Sequence, residues 1–143
     1  MIYKKLHGYK YKLMVTEKFK FPKLAYISCS NDYLCLKDGL LTISEGYMWD
    51  GASGPTWDDK TNMTGSLVHD ALYQILREGE FQGKKFVREY ADEVLRDMCI
   101  AASKNKFLAK IRYNTWFWMV RKFAKRSSTP KQKPRGQIVE VKP

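Results

Sequence analysis

The dipeptide Asp38-Gly39 is the feature that most narrowly limits what this 143-residue chain can fold into. It separates two apolar runs, Tyr33 to Leu36 and Leu40 to Ile43. Asp-Gly accepts the positive φ angles of a tight hairpin turn, so the arrangement predicts two antiparallel strands. Up to Tyr47 the rest of the N-terminal part has a β pattern too, and we expect a small antiparallel sheet of about four or five strands.

Two further segments contribute to this expected sheet. Residues 9–15 begin with an alternation of apolar and polar side chains, which is typical of a half-buried strand. Residues 24–27, Leu-Ala-Tyr-Ile, form a short apolar run that fits the same β pattern. We therefore interpret both segments as strand-forming.

The periodicity stops between Gly46 and Met63. Residues 46–59 combine glycines and a proline with two tryptophans and three aspartates. This composition is typical of an ordered functional loop rather than of a linker. We expect the aromatic side chains to pin the loop to the body of the protein, and the glycines to let its backbone approach a ligand.

Three helices are predicted after the loop. The first is capped by Thr64 or Ser66 and runs to about Glu78, with Gly79 as its stop. The second covers about residues 83–104 and the third about residues 106–126. The third helix carries an apolar stripe that we expect in the core: Phe107, Leu108, Ile111, Trp116, Phe117, Met119, Val120 and Phe123.

These patterns together predict an α+β fold. A single domain is expected over residues 1–126, with an N-terminal antiparallel sheet followed by three packed helices. Residues 127–143 are rich in serine, proline and basic residues, and we expect a mobile basic tail there.

Composition excludes several classes of protein. The N-terminus lacks the apolar core of a signal peptide, and no run approaches the roughly 18 apolar residues of a membrane span, so we expect a soluble protein made in the cytoplasm. The cysteines, Cys29, Cys35 and Cys99, have neither disulfide-framework nor zinc-site spacing. We expect free thiols.

The chemistry of the chain is expected around His69. On a helix, His69 and Tyr73 share one face, and Asp70 is turned by about 100° onto the next face. Asp92 lies close to the buried edge of the second helix. If these two helices pack antiparallel, Asp92 comes opposite His69 and can orient the imidazole as a general base.

Asp70 would then turn toward the loop of residues 46–59, called the glycine loop here, where a hard cation could bind. Carboxylate and backbone oxygens favour Ca²⁺ over zinc, and the candidate ligands are Asp70, Asp50, Gly51, Ser53 and Gly54. In this hypothesis a water activated by His69 attacks a carbonyl polarised by the metal. Two other interpretations stay open: a buried polar network without turnover, and a ligand site without hydrolysis.

The net charge of +11 lies entirely in the last 40 residues. Residues 104–143 hold 12 Lys and Arg against Glu140 alone, and 12 − 1 = +11. The candidate partner-binding or phosphate-binding residues are Lys110, Arg112, Arg121, Lys122, Lys125 and Arg126. Three partners are plausible: nucleic acid phosphate, an anionic membrane lipid surface, and an acidic face of another protein.

Three motifs resemble a known family. The run from Gly46 to Ser53, the run from His69 to Tyr73, and Ala91-Asp92 resemble, in order and spacing, the phage and prophage proteins catalogued as domain of unknown function 1353. The resemblance covers about residues 25–120. It implies a bacteriophage or prophage origin, with synthesis in the host cytoplasm and a place in the virion as one possibility, and it brings no established activity.

A narrower resemblance concerns the His-Asp motif. His69-Asp70-x-x-Tyr73 and the later Ala91-Asp92 look like the catalytic core of phospholipase A2, in particular the version in parvovirus capsids. This resemblance implies that His69 is the general base, Asp70 a calcium ligand, Asp92 the partner of His69 and Tyr73 a supporting donor. It also implies that residues 51–54 form the calcium loop, although the glycine pattern of that family's loop is absent.

Two functions from different classes follow. The first is a phage-encoded, metal-assisted hydrolase of ester bonds in lipid or envelope material. The second is a non-enzymatic structural or accessory protein, such as a tail or neck component, whose polar cluster is scaffold and whose basic end binds DNA, membrane or another phage protein.

Overall fold

The expected α+β fold is confirmed by the structure, a computed structural model that describes residues 1–7, 11–51 and 62–123. Within these ranges, short strands precede three helices. The strands are β1 (Tyr3–Lys5), β2 (Tyr11–Leu13), β3 (Glu17–Lys20), β4 (Cys29–Ser30), β5 (Leu34–Lys37), β6 (Leu40–Ile43) and β7 (Met48–Trp49). The helices are α1 (Met63–Glu78), α2 (Lys84–Ala102) and α3 (Lys106–Phe123).

The strands form two sheets, whereas a single sheet was expected. One sheet has the order β1-β2-β7 and the other β3-β6-β5-β4, and every pairing is antiparallel. β2 and β3 are close in sequence but take different partners, because Leu13 bonds through its backbone to Gly46 and Tyr47, next to β7. Alternation identifies a strand but does not say which strand it pairs with, so the number of sheets was not predictable from it.

The predicted hairpin at Asp38-Gly39 is confirmed. It joins β5 to β6, and its two turn residues have φ angles of 50° and 73°. Asp38 is the one non-glycine residue with positive φ in the described parts of the chain. A side chain at Gly39 would lie 2.8 Å from the carbonyl oxygen of Phe21, so this position needs glycine for both its φ angle and its space.

The prediction of a strand at residues 24–27 was wrong. A 3-10 helix covers Pro22–Leu24, and the chain continues in a turn. Proline has no N–H to give to a strand ladder, and its fixed φ suits the first turn of a helix. Leu24 and Ile27 are nevertheless buried. The apolar run therefore predicted the burial of these side chains correctly, but it did not predict the backbone conformation.

Helix α1 is the centre of the fold. It is buried on almost all sides, since every residue from Gly65 to Leu76 is buried. It starts at Met63, so Thr64 and Ser66 lie inside its first turn and the predicted cap positions were wrong. The N-terminal part of α1 packs closely on α2: a side chain at Gly65 would lie 3.1 Å from Cys99 Sγ and 3.2 Å from Leu95.

Helix α3 packs on α2 through one narrow face. Ala109, Tyr113 and Trp116 are buried there against Leu95 and Cys99. The prediction of a fully buried apolar stripe was wrong for Phe107, Leu108 and Ile111, which are exposed, because only one side of α3 meets another helix. The side chains of Val120 and Phe123 lie outside the described part.

Several expectations concern residues that the structure does not describe. They are the basic tail at residues 127–143, the loop residues Ser53 and Gly54, and the cations Lys125 and Arg126. No disulfide joins the three cysteines, all of which are described. Among the described helices, none combines the length and the apolar character that crossing a membrane requires.

Candidate functional site

Helices α1 and α2 bring the predicted histidine and carboxylate together. The two helices run antiparallel, so the close contact of Gly65 with Leu95 and Cys99 places His69, one turn further along α1, opposite Asp92. Tyr73 follows after another turn, and its ring lies 4.2 Å from the imidazole, centroid to centroid. The expected antiparallel packing and the expected His69 to Asp92 contact are therefore both present.

Asp92 is the acceptor at the centre of the site. One of its oxygens, Oδ1, lies 2.9 Å from His69 Nε2 and 2.7 Å from the hydroxyl of Tyr73. Asp92 is 2% exposed, whereas His69 and Asp70 are each 7% exposed. A buried carboxylate needs donors, and here two side chains of α1 supply them.

This geometry assigns the proton of the neutral imidazole. An ionised carboxylate can only accept, so His69 Nε2 must carry the hydrogen that it donates to Asp92. The lone pair is then on Nδ1. That nitrogen lies 3.8 Å from Asp70 Oδ1, which is beyond direct hydrogen-bond range but close enough for strong electrostatic interaction.

The pKa values of His69 and Tyr73 are both raised. Burial disfavours the imidazolium form of His69, but the neighbouring carboxylates of Asp70 and Asp92 outweigh it, and the pKa of His69 is raised above 6.5. Burial and the negative charge of Asp92 raise the pKa of Tyr73 far above its usual value of 10. Tyr73 therefore stays a neutral hydrogen-bond donor at any pH that the protein meets.

The raised pKa of His69 predicts a specific loss of stability with pH. A group whose pKa is higher in the folded than in the unfolded state contributes stability that is fully present below about pH 6.5 and is lost as the pH rises through the folded-state value. In EDTA, the difference in free energy of unfolding between wild type and His69→Gln should therefore shrink from about pH 5.5 to 9. Urea denaturation across this range measures it.

The other histidine provides the control. His7 is exposed, so His7→Gln should follow wild type at every pH. A difference between wild type and His69→Gln that stays constant, or grows as the pH rises, would show that His69 is not held by its carboxylates in this way.

The start of the glycine loop is anchored next to the site. Trp49, 1% exposed, donates from Nε1 to Ser66 Oγ at 3.2 Å, and Ser66 in turn donates to the carbonyl of Met63 at 2.9 Å. Asp50 follows at the end of β7, and Gly51 is buried with a φ of 83°. The loop thus leaves the sheet from a residue that is bonded to the first turn of α1.

Part of the predicted calcium site is described. Asp70 offers a carboxylate on the Nδ1 side of His69, and Asp50 and Gly51 offer oxygen atoms of the kind that calcium accepts. Residues 52–61, with Ser53 and Gly54, are outside the description. Among the described residues, no cluster of three or more His, Cys, Asp or Glu side chains could hold a metal.

Four of the predicted phosphate-binding cations are described, and all four lie on α3: Lys110, Arg112, Arg121 and Lys122. All four are exposed. The guanidinium of Arg121 forms an ion pair with the carboxylate of Glu89 at 2.8 Å, and this pair links α3 to α2. The charge of Arg121 also reaches Tyr73, where it partly opposes the rise in the pKa of the tyrosine hydroxyl.

Sequence reasoning missed the role of Ser66. We expected it to cap a helix, but its hydroxyl accepts the indole N–H of Trp49. A buried tryptophan needs a hydrogen-bond acceptor for its indole N–H. This need is the only feature of the sequence that points to a partner for Trp49. Because the two residues are 17 positions apart, no local spacing identifies the partner.

Comparison of the chain with protein-family models, with curated proteins and with solved structures found no match.

Proposed function

We propose that this protein is a phage-encoded hydrolase that cleaves ester bonds in lipid or envelope material. The observation that carries the proposal is the buried arrangement of Asp92, which accepts hydrogen bonds from both His69 Nε2 and the Tyr73 hydroxyl. This arrangement leaves the lone pair of His69 on Nδ1, where a general base needs it. The phage origin rests on the resemblance described from the sequence.

The chemistry follows from the roles of these side chains. Nδ1 of His69 removes a proton from a water molecule as the oxygen attacks the ester carbonyl, and Asp92 stabilises the imidazolium that forms. The imidazolium then gives its proton to the alcohol that leaves. Tyr73 keeps Asp92 in place, so that the imidazole does not turn away between these two transfers.

Calcium is the cofactor in this proposal. The carboxylates of Asp70 and Asp50 and backbone oxygen from Gly51 would hold it, with Ser53 and Gly54 as the other predicted ligands. Bound there, the ion would supply a positive charge for the oxygen that becomes negative during attack. Asp70 would then hold the ion on the same side of His69 as the reactive nitrogen.

The direct test is release of fatty acid from phosphatidylglycerol vesicles by the purified chain. We expect turnover with millimolar Ca²⁺, and none with EDTA or in Asp70→Asn. His69→Gln should reduce the rate by about 10²- to 10⁴-fold, because glutamine can still bond to Asp92 but cannot accept the proton.

The histidine at position 7 again gives the matched control. His7→Gln carries the same change at an exposed position and should retain the wild-type rate. The proposal fails if wild type releases no fatty acid with Ca²⁺, or if His69→Gln is as active as His7→Gln.

A second candidate function is a non-enzymatic phage accessory or structural protein of the tail or neck. Its support is that the same bonds tie α1 to α2 through groups that are almost wholly buried, which stabilises a fold whether or not a reaction occurs. This candidate is favoured if His69→Gln lowers stability and no ester is cleaved by wild type.

A further inference from the structure

The outward side of helix α3 is unusually apolar for an exposed surface. Phe107 is 73% exposed, Trp118 62%, Leu108 60% and Ile111 56%. With about 100° between successive residues, all four lie on the side of α3 opposite Tyr113, which is buried against α2. Exposed apolar side chains grouped on one side of a helix mark interaction sites more often than scattered single side chains do, and here they share that side with the exposed Asn114 and Thr115.

Positive charges border this apolar strip. On the same helical projection, Lys110 lies along one edge and Arg112 along the other, and the ammonium of Lys122 sits 5.2 Å from the centre of the Trp118 ring. Residues 104–123 include no Asp or Glu. Lys106 donates to the carbonyls of Ile100 and Ala101 at the end of α2 and is therefore not counted in this surface.

We propose that this outward side of α3, with Phe107, Leu108, Ile111 and Trp118 at its centre and Lys110 and Arg112 at its edges, is a docking surface for an anionic phospholipid membrane. We call it the α3 surface. The proposal concerns binding alone and does not require hydrolysis at His69.

The order of groups across the α3 surface matches the order of groups across a membrane interface. Helices that lie in the plane of a membrane place their apolar side at the boundary of the acyl chains and their basic residues at the level of the lipid phosphates. Tryptophan prefers this interfacial depth, because its ring is apolar and its N–H remains near water. The α3 helix, about 27 Å long, could lie flat in this way.

Charge complementarity argues against the other occupants. In a symmetric dimer formed through the α3 surface, the Lys and Arg of one copy would approach those of its partner, which is unfavourable. Nucleic acid would place phosphates against the strip, but the side chains of Phe107, Leu108 and Ile111 offer them no donors. An anionic membrane satisfies both the centre and the edges.

The test measures cosedimentation of the full chain with vesicles made of lipids that cannot be hydrolysed. Equimolar ether-linked phosphatidylglycerol and phosphatidylcholine should bind the protein more tightly than ether-linked phosphatidylcholine alone. Phe107→Ser with Trp118→Ser should weaken binding to the anionic vesicles by at least about tenfold, since the apolar part of the interaction is lost. Lys110→Glu with Arg112→Glu should weaken it as well.

The control is a matched pair of exposed residues outside α3. Ile2 is 62% exposed and Tyr26 58%, so Ile2→Ser with Tyr26→Ser removes two exposed apolar side chains away from α3 and should leave binding unchanged. Far-ultraviolet circular dichroism confirms folding of each variant, and the ether-linked lipids, which cannot be hydrolysed, keep the measurement of docking separate from catalysis.

Three results would overturn the proposal. Wild type could fail to sediment with the anionic vesicles, or the Phe107/Trp118 variant could bind them as well as wild type does. The third is a wild-type dimer, seen by analytical ultracentrifugation, that the Phe107/Trp118 variant dissociates while its vesicle binding is unchanged. That last result would assign the α3 surface to a second copy of the chain.

Discussion

Replacing Asp92 by alanine is expected to lower the free energy of unfolding by about 3–5 kcal/mol. The substitution removes the acceptor of two buried donors, His69 Nε2 at 2.9 Å and the Tyr73 hydroxyl at 2.7 Å. Neither donor can turn to bulk water, because both residues are less than 8% exposed, so their desolvation is no longer compensated. Urea denaturation at pH 7 measures the loss.

Two other substitutions show whether the loss comes from this contact. Asp97→Ala changes the same residue type on the same helix, but the Asp97 side chain is 65% exposed and pairs with Arg96, so we expect a change within about 0.5 kcal/mol. Asp92→Asn keeps the side-chain volume and one acceptor oxygen, so its loss in free energy of unfolding should lie between those of Asp92→Ala and Asp97→Ala. A loss from Asp92→Ala no greater than that from Asp97→Ala would contradict a stabilising role for this network.

Replacing Trp49 by alanine is the second large expected effect, again about 3–5 kcal/mol. Trp49 is 1% exposed and forms a cluster of three rings with Tyr11, 5.5 Å away, and Tyr3, 5.9 Å away, measured between ring centroids. Its N–H is also bonded to Ser66 on α1. Alanine leaves a cavity between the sheet and α1 and removes that bond.

Matched variants separate packing from the hydrogen bond of Trp49. Trp49→Phe keeps much of the ring and should lose less, about 1 kcal/mol from the hydrogen bond together with a smaller packing term. Trp118→Ala makes the same change at a position that is 62% exposed and should stay within about 0.5 kcal/mol of wild type. Equal losses at positions 49 and 118 would contradict the anchoring role of Trp49.

The two proposals can be tested independently because they involve different residues. Hydrolysis depends on His69, Asp92 and Asp70, which lie on α1 and α2. Membrane docking depends on the α3 surface. A protein that docks without cleaving, or cleaves soluble esters without docking, would retain one proposal and exclude the other.

The predictions that succeeded depend on a local turn or on the packing of two helices that are consecutive in the chain. Asp38-Gly39 determines its own hairpin, since the turn needs two positive φ angles that few residue pairs adopt. The contact between His69 and Asp92 was also predictable. If the short connection lets α1 and α2 pack antiparallel, counting turns in both directions from that connection brings the two residues level, and the structure has this packing.

The predictions that failed concern choices among equally plausible partners. β2 and β3 show strand patterns, but nothing local says that they belong to different sheets. On α3, aromatic and aliphatic residues surround the helix, so its sequence does not tell which side meets α2. Only the packed structure decides this, because the buried side is the one that fits against Leu95 and Cys99.

The sequence by itself therefore determined the fold class and the hairpin, since both follow from local patterns, and it predicted the pairing of His69 with Asp92 on the condition that the two helices pack antiparallel. Tertiary structure alone decided that Ser66 receives the N–H of Trp49 and that one side of α3 stays exposed. Both depend on contacts between distant segments, where burial of apolar surface and satisfaction of polar groups are settled together.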